Sequence, residues 1–279
     1  DVQDAIDAIG DDWFNLVANP YLDNTNIAAI KTYASTQDGP MVQKDQIWYG
    51  MKRDTRANLI TFGEDTTNHN SKHLVTGMWY KRLQSISEGA AAFVGAFAQS
   101  LLSDIGRPLH RITVNGISTL DKNDIWTDTE RNQLATAGIM TITDKVGVQS
   151  EFTCTMYLKN SAGASDQAYQ QQNTVFNLMA QRYRFVQQIL TKYPRARLAS
   201  SAEKIKPGIQ VITPNIGKNE ALIWYRQLER DGLAEDYDTF KANVVCQRSD
   251  SNPNRLEWLL PSDLVNLFIV GSADIQFKL

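Results

Sequence analysis

Few residues in this 279-residue chain have the type and spacing to do chemistry. His69 and His73 lie four apart, the separation at which two imidazoles on one helix face share a metal ion. Asn68, Asn70, Ser71 and Lys72 around them speak instead for a solvated connection. The third and last histidine, His110, stands beside Pro108 and near Asp104. A Ser/His/Asp relay there would need a serine on a sharp elbow with oxyanion donors, and the sequence contains no such elbow. It also lacks a glycine-rich phosphate loop, a Cys-x-x-Cys pair and a long basic run with interleaved aromatics. Cys154 and Cys246 sit far apart in apolar, strand-like runs and read as buried free thiols of a reducing compartment. The densest positive patch is Arg182, Arg184, Lys192, Arg195 and Arg197. It reads either as a solvated helix face or as a docking face for an acidic protein partner. The residues therefore predict no catalytic, cofactor or metal site; the rival class, an α/β hydrolase-like enzyme, would need a pocket with titratable groups converging around His110.

The elements that would have to position such residues come from an ordinary globular composition, 42% hydrophobic and 21% charged. A chain this long can bury roughly 75% of its unfolded surface, as one large domain or two ordinary ones. Its 28 Lys and Arg against 31 Asp and Glu leave a net charge of -3, with no general pull toward nucleic acid or an anionic membrane. No apolar run reaches the ~20 residues that span a bilayer, and the start lacks the basic-then-apolar pattern of a signal peptide. The chain opens at Asp1 without an initiator Met and reads as the later part of a longer protein.

Strand and helix signals alternate through the first half. Trp13–Ala18 is a short apolar run closed by Asn19-Pro20. A helix capped at Asp23, Asn24 or Thr25 carries Ile27, Ile30 and Tyr33 to Asp38-Gly39-Pro40. Ile47–Met51 and Leu74–Trp79 read as strands, with a short helix Thr55–Phe62 between them, and Ser87–Ser103 reads as a helix buried between layers. Arg111–Val114 is a further strand signal. A capping box, Thr127 with Glu130, starts a helix that ends at Gly138. Ile139–Thr143 and Gln149–Tyr157 read as a hairpin. The pattern predicts a mostly parallel sheet with helices on its faces.

The small, polar stretch Lys159–Ser165 predicts a boundary, dividing the chain into 1–160 and a smaller α+β part, 161–279. Beyond it the spacing of Val175, Met179, Tyr183, Val186, Leu190 and Tyr193 predicts a long helix that Pro194 closes. A short strand, Ile209–Ile212, ends at Pro214; a helix Asn219–Asp231 follows, capped by Gly232; and Ala242–Arg248 with Arg255–Leu260 form a hairpin. The chain closes on Ala273-Asp274-Ile275-Gln276-Phe277-Lys278-Leu279, alternating apolar and polar as a strand with one buried face. Such a strand needs an edge to pair with, in its own chain or in another.

Several runs then resemble one family. Lys192–Ala199, Pro207–Pro214, Asp250–Asn266 and the closing Ile275-Gln276-Phe277 are similar to the C-terminal region of contractile phage tail sheath proteins of Mu-like phages. Upstream, Gly39-Pro40-Met41, Thr129–Asn132 and Ser161–Ala164 resemble sheath segments in the expected order. The resemblance implies a structural protein: a subtilisin-like α/β sheath domain without a catalytic triad, then a smaller C-terminal sheath domain. It implies a virion component assembled in the host cytoplasm, whose copies stack as hexameric rings around a tail tube protein and contract to drive that tube through the host envelope. It implies no cofactor, nucleic acid, membrane insertion or small-molecule substrate. A related secretion or bacteriocin sheath carries the same signature. On this resemblance Ala273–Leu279 is an arm donated to a neighbour's sheet, and the hairpin Ala242–Leu260 belongs to the receiving sheet.

Overall fold

The computed structural model describes residues 2–200, 206 and 208–272; the proposed arm, Ala273–Leu279, lies outside them. The chain divides into two compact units. One runs to Phe176 and resumes at Phe268; the other is Asn177–Leu267. The polar stretch from Lys159 to Ser165 lies within the first, closed on itself by a bridge between those two residues.

The first unit follows the order α1 (Val2–Ile9), β1 (Leu16–Ala18), α2 (Asn24–Gln37), β2 (Ile47–Lys52), α3 (Arg56–Glu64), β3 (Leu74–Met78), α4 (Ile86–Ser103), α5 (Asp128–Thr136) and β4 (Ile139–Met140). Strands β1 to β4 form one parallel sheet in the order β1-β2-β3-β4. Successive residues of β2 point to opposite faces. Trp48 meets Tyr33 of α2 edge-on at 6.3 Å, among Val2, Ile6, Ile27, Ile30 and Ala34 from α1 and α2. Tyr49 meets Phe97 of α4 at 5.7 Å on the other face. Both faces are covered, which is why β2 and β3 read as continuous apolar runs without alternation.

Local side-chain caps start these helices, at Thr127 as expected and at Ser85 two residues before the expected start. Asp23 and Thr55 accept from the amides three residues on, and Ser85 with Glu88 and Thr127 with Glu130 form complete capping boxes, each worth about 1 kcal/mol. Close packing then demands glycine at two helix positions. A Cβ on Gly89 would stand 2.5 Å from the Trp79 ring, and one on Gly63 would stand 2.0 Å from the Ala137 carbonyl oxygen. At the far end of α4, Leu102 is exposed, so that helix is buried along one side and not all round.

Several expectations change. Arg111–Val114 is not a regular strand: Arg111 adopts φ +61°, and although Arg111, Ile112 and Val114 share backbone hydrogen bonds with Val148 and Ser150, the pairing amounts to one isolated bridge between Thr113 and Gln149. The expected hairpin is divided. Ile139 and Met140 join the parallel sheet as β4, while β5 (Ile142–Thr143) pairs antiparallel with β6 (Gln149–Ser150). α1, which the sequence reading left out, buries Val2 and Ile6.

α6 (Gln172–Lys192) begins in the first unit and continues in the second. Within the second unit Phe185, Trp224, Tyr225, Phe240 and Trp258 make an aromatic core. Tyr183 and Leu190 are exposed, so the buried face of α6 is rotated from the expected one. β7 (Arg197–Leu198) pairs parallel with β8 (Val211–Ile212). α7 (Pro214–Arg230) begins five residues earlier than predicted: Thr213 caps it and Pro214 occupies its first turn, where proline favours a start. Gly232 at φ +68° ends it as expected. β9 (Ala234–Glu235) pairs with β12 (Asp263–Leu264). Between them lie α8 (Tyr237–Asn243), which displaces the start of the predicted strand, and the antiparallel hairpin β10 (Val245–Arg248) and β11 (Leu256–Leu259).

Candidate functional site

The histidines do not converge on a site. His69 and His73 are both buried, not solvated, and each ties separate elements together. Nδ1 of His69 is 2.6 Å from the Phe62 carbonyl and Nε2 is 2.9 Å from the Asn24 side-chain amide. His73 sets Nδ1 3.1 Å from the Gln46 carbonyl and Nε2 3.5 Å from the Asp38 carboxylate, which Lys72 also meets at 2.6 Å. Both rings have their nitrogens engaged, His69 at the start of α2 and His73 at its end, so they do not converge. No group of metal-ligating residues occurs among the described residues. His110 is half-buried, its pKa lowered by burial and by Arg111, and its Nδ1 has no partner among the described residues. The Asp104 carboxylate accepts from the Gly106 amide, closing its own turn.

In an open α/β sheet the natural place for a ligand is beyond the carboxyl ends of the strands. Beyond β3 and β5 that place is filled. Arg82 donates two hydrogen bonds to Asp144, at 2.7 and 3.0 Å, and a third to the Ser118 carbonyl. Its guanidinium lies over the Trp79 ring, and Asp144 also accepts from the Leu120 amide. The cavity there has a volume of about 10 Å³, room for at most one water. Buried Arg131 similarly holds Glu151, Asp128 and the Trp126 carbonyl. A wider cleft of about 660 Å³ opens beside Lys52, Asp54, Asp65 and His69. Two of its carboxylates are engaged locally: the Asn58 side chain holds Asp54 below the usual carboxylate range, and Asn68 does the same for Asp65. The thiols of Cys154 and Cys246 are both pushed up to about 12 by burial, so neither is a ready nucleophile.

The second unit presents a different surface. Cys246 pairs with Trp258 and Arg248 with Leu256 across the β10–β11 hairpin. The face bearing Cys246, Leu256 and Trp258 packs on α7 at Gly217, whose carbonyl accepts from the Trp258 indole at 3.0 Å. The other face leaves Val245 and Leu259 exposed. Among the described residues neither outer edge of this hairpin is paired. The predicted basic patch is only partly free: Arg184 binds Asp231 at 3.0 Å and Lys192 binds Glu220 at 2.6 Å. Arg182 also has its own interactions. Arg195 and Arg197 are exposed, without ion-pair partners among the described residues.

Residues 1–156 match the family described as phage tail sheath protein central domain. The chain belongs to the phage tail sheath family. A Mu-like prophage FluMu tail sheath protein of Haemophilus influenzae is 33% identical over 281 residues, covering 100% of this chain and 57% of that relative. This sheath chain thus spans little more than half the length of that relative. Its fold is shared with a sheath tail protein of Listeria innocua, at TM-score 0.67 and 11% identity over 94% of this chain and 56% of that one. It is also shared with the helical sheath of the anti-feeding prophage in its contracted state, at TM-score 0.57 and 11% identity over 99% and 72%. The buried pairs Arg82 with Asp144 and Arg131 with Glu151 carried no readable signal, since the partners are distant in sequence and joined only by folding.

Proposed function

We propose that this chain is the greater part of a structural subunit of a contractile phage tail sheath. Copies polymerise around the tail tube as stacked hexameric rings in the virion, after assembly in the host cytoplasm, and contraction drives the tube through the host envelope. The observation that carries this reading is the β10–β11 hairpin. A two-stranded hairpin is marginal alone, and this one rests a single face on α7 while offering an exposed Val245–Leu259 pair and edges that no other described strand joins. Strand addition from a neighbour supplies backbone hydrogen bonds that survive while domain faces repack, so no cofactor or nucleotide is needed. The donated strand in this reading is Ala273–Leu279, with Gly271-Ser272 absorbing the change in backbone angles. Membership of a structural family and the plug at the carboxyl end of β3 both argue against the hydrolase class. The identity to a Mu-like relative favours a phage sheath over a secretion or bacteriocin one.

The test is light scattering of the full chain beside one ending at Gly271, over a range of concentrations. Association that grows with concentration in the full chain and disappears in the shortened, still folded one supports the donated arm. Two equally monomeric chains, with the shortened one less stable, would place the strand in its own sheet and remove the arm.

A further inference from the structure

Charge is divided unequally between the two units. Asn177–Leu267 holds 13 Lys and Arg against 10 Asp and Glu, whereas the remainder holds 15 against 21. The positive excess has exposed, uncommitted representatives in Arg195, in the turn after α6, and Arg197, on β7. Arg184 and Lys192 nearby are already neutralised by Asp231 and Glu220. The negative excess has its own representatives on and after α1. Val2 and Ile6 face the core, so Asp4 and Asp7 are exposed on the outward side, and Asp11 and Asp12 are exposed just past Gly10. Asp7 accepts from the Gln3 side chain, but Asp4, Asp11 and Asp12 have no side-chain partner among the described residues.

The position of these acids is electrostatically awkward. α1 has no basic residue in its last turn, and Asp11 and Asp12 stand at its carboxyl end, where the helix dipole favours cations. The one lysine that reaches this end, Lys44, donates to the Asp11 backbone carbonyl at 2.7 Å and leaves the carboxylates alone. Cations supplied from outside would offset both the dipole and the mutual repulsion.

We propose that the acidic outer face of α1 and its following turn, Asp4, Asp11 and Asp12, docks on Arg195 and Arg197 of a second copy of this chain. This rests on the reading that copies associate, and it adds which surfaces meet. It is separate from strand donation, because neither surface includes the hairpin or the terminal strand. A contact between two different patches repeats from copy to copy, as an extended lattice requires. Being exposed and ionic, it gives way in salt and orients neighbours more than it holds them.

The experiment is sedimentation of the full chain at about 50 mM and about 500 mM salt, where screening lengths differ about threefold. The variants are Asp4→Lys with Asp11→Lys, Arg195→Glu with Arg197→Glu, and all four together. Each double reversal is expected to weaken low-salt association about tenfold, and the fourfold exchange to restore most of it. Circular dichroism and the thermal midpoint verify that each variant is folded. Wild-type association with no salt dependence and no loss in either double variant overturns this docking while leaving the assembly reading intact. Loss in both doubles without recovery in the fourfold exchange also overturns the pairing. A wild-type chain that stays monomeric at both salt concentrations overturns the assembly reading and this inference with it.

Discussion

Two regions of this molecule use the same ion-pair chemistry to opposite ends. In the first unit Arg82 and Asp144 leave only 1% of either side chain exposed and lock the carboxyl end of the sheet. In the second, Arg184 of α6 and Asp231 at the end of α7 leave 45% and 55% exposed. Water screens the second pair and not the first. The buried pair therefore fixes a conformation, while the exposed pair mostly decides which charges remain for a partner.

That contrast can be broken most directly at its buried end. Asp144→Ala leaves a buried, uncompensated guanidinium and is expected to cost about 3–5 kcal/mol in denaturant unfolding, while replacing both partners with apolar residues recovers much of it. A cost below about 1 kcal/mol would remove the pair from its role as a lock. Next come the tightly packed glycines. Gly63→Ala drives a methyl group against the Ala137 backbone carbonyl and is expected to cost about 1–3 kcal/mol. Gly217→Ala meets the Cys246 sulfur and the Leu256 and Trp258 side chains, which can shift, so its cost should be the smaller of the two.

Acid sharpens the comparison within the second unit. Burial raises the Glu220 pKa, but hydrogen bonds from Lys192, Tyr193 and Gln188 outweigh it and leave the net value lowered. A folded value below the unfolded one means the stabilisation is present above the ordinary carboxylate pKa and lost as pH falls through the folded value. Glu220→Gln should flatten the acid limb of the stability profile; an unchanged profile would show that this carboxylate is not the titrating group. The smallest effect is expected at Arg184→Ala, under about 1 kcal/mol and fading with salt. A cost as large as that of Asp144→Ala would erase the distinction between the two regions.

Much of this was legible in the chain. A cap among Asp23, Asn24 and Thr25 and the Thr127–Glu130 box announced two helices because capping is a contact between residues three apart. Continuous apolar runs at Ile47–Met51 and Leu74–Trp79 announced a sheet covered on both faces. Pro214 misled because the same residue ends a strand and begins a helix, and only the Thr213 hydroxyl bonded to the Ile216 amide decides between them. The histidines misled for a related reason: polar neighbours suggested solvent, while Phe62, Asn24 and Gln46, distant in sequence, supplied partners that permit burial.

The sequence by itself determined what depends on near neighbours: the starts of α2 and α5, the alternation of strands and helices in the first half, and the lack of a phosphate loop or nucleophile elbow. Its runs were also enough to reveal the sheath resemblance. Only tertiary structure decided which charges are buried and which are free, since Arg82 finds Asp144 across 62 residues and Lys192 finds Glu220 across 28. Among the described residues it likewise left the edges of the β10–β11 hairpin unpaired. Pairing across such separations depends on where the backbone places each side chain, and no local spacing records that.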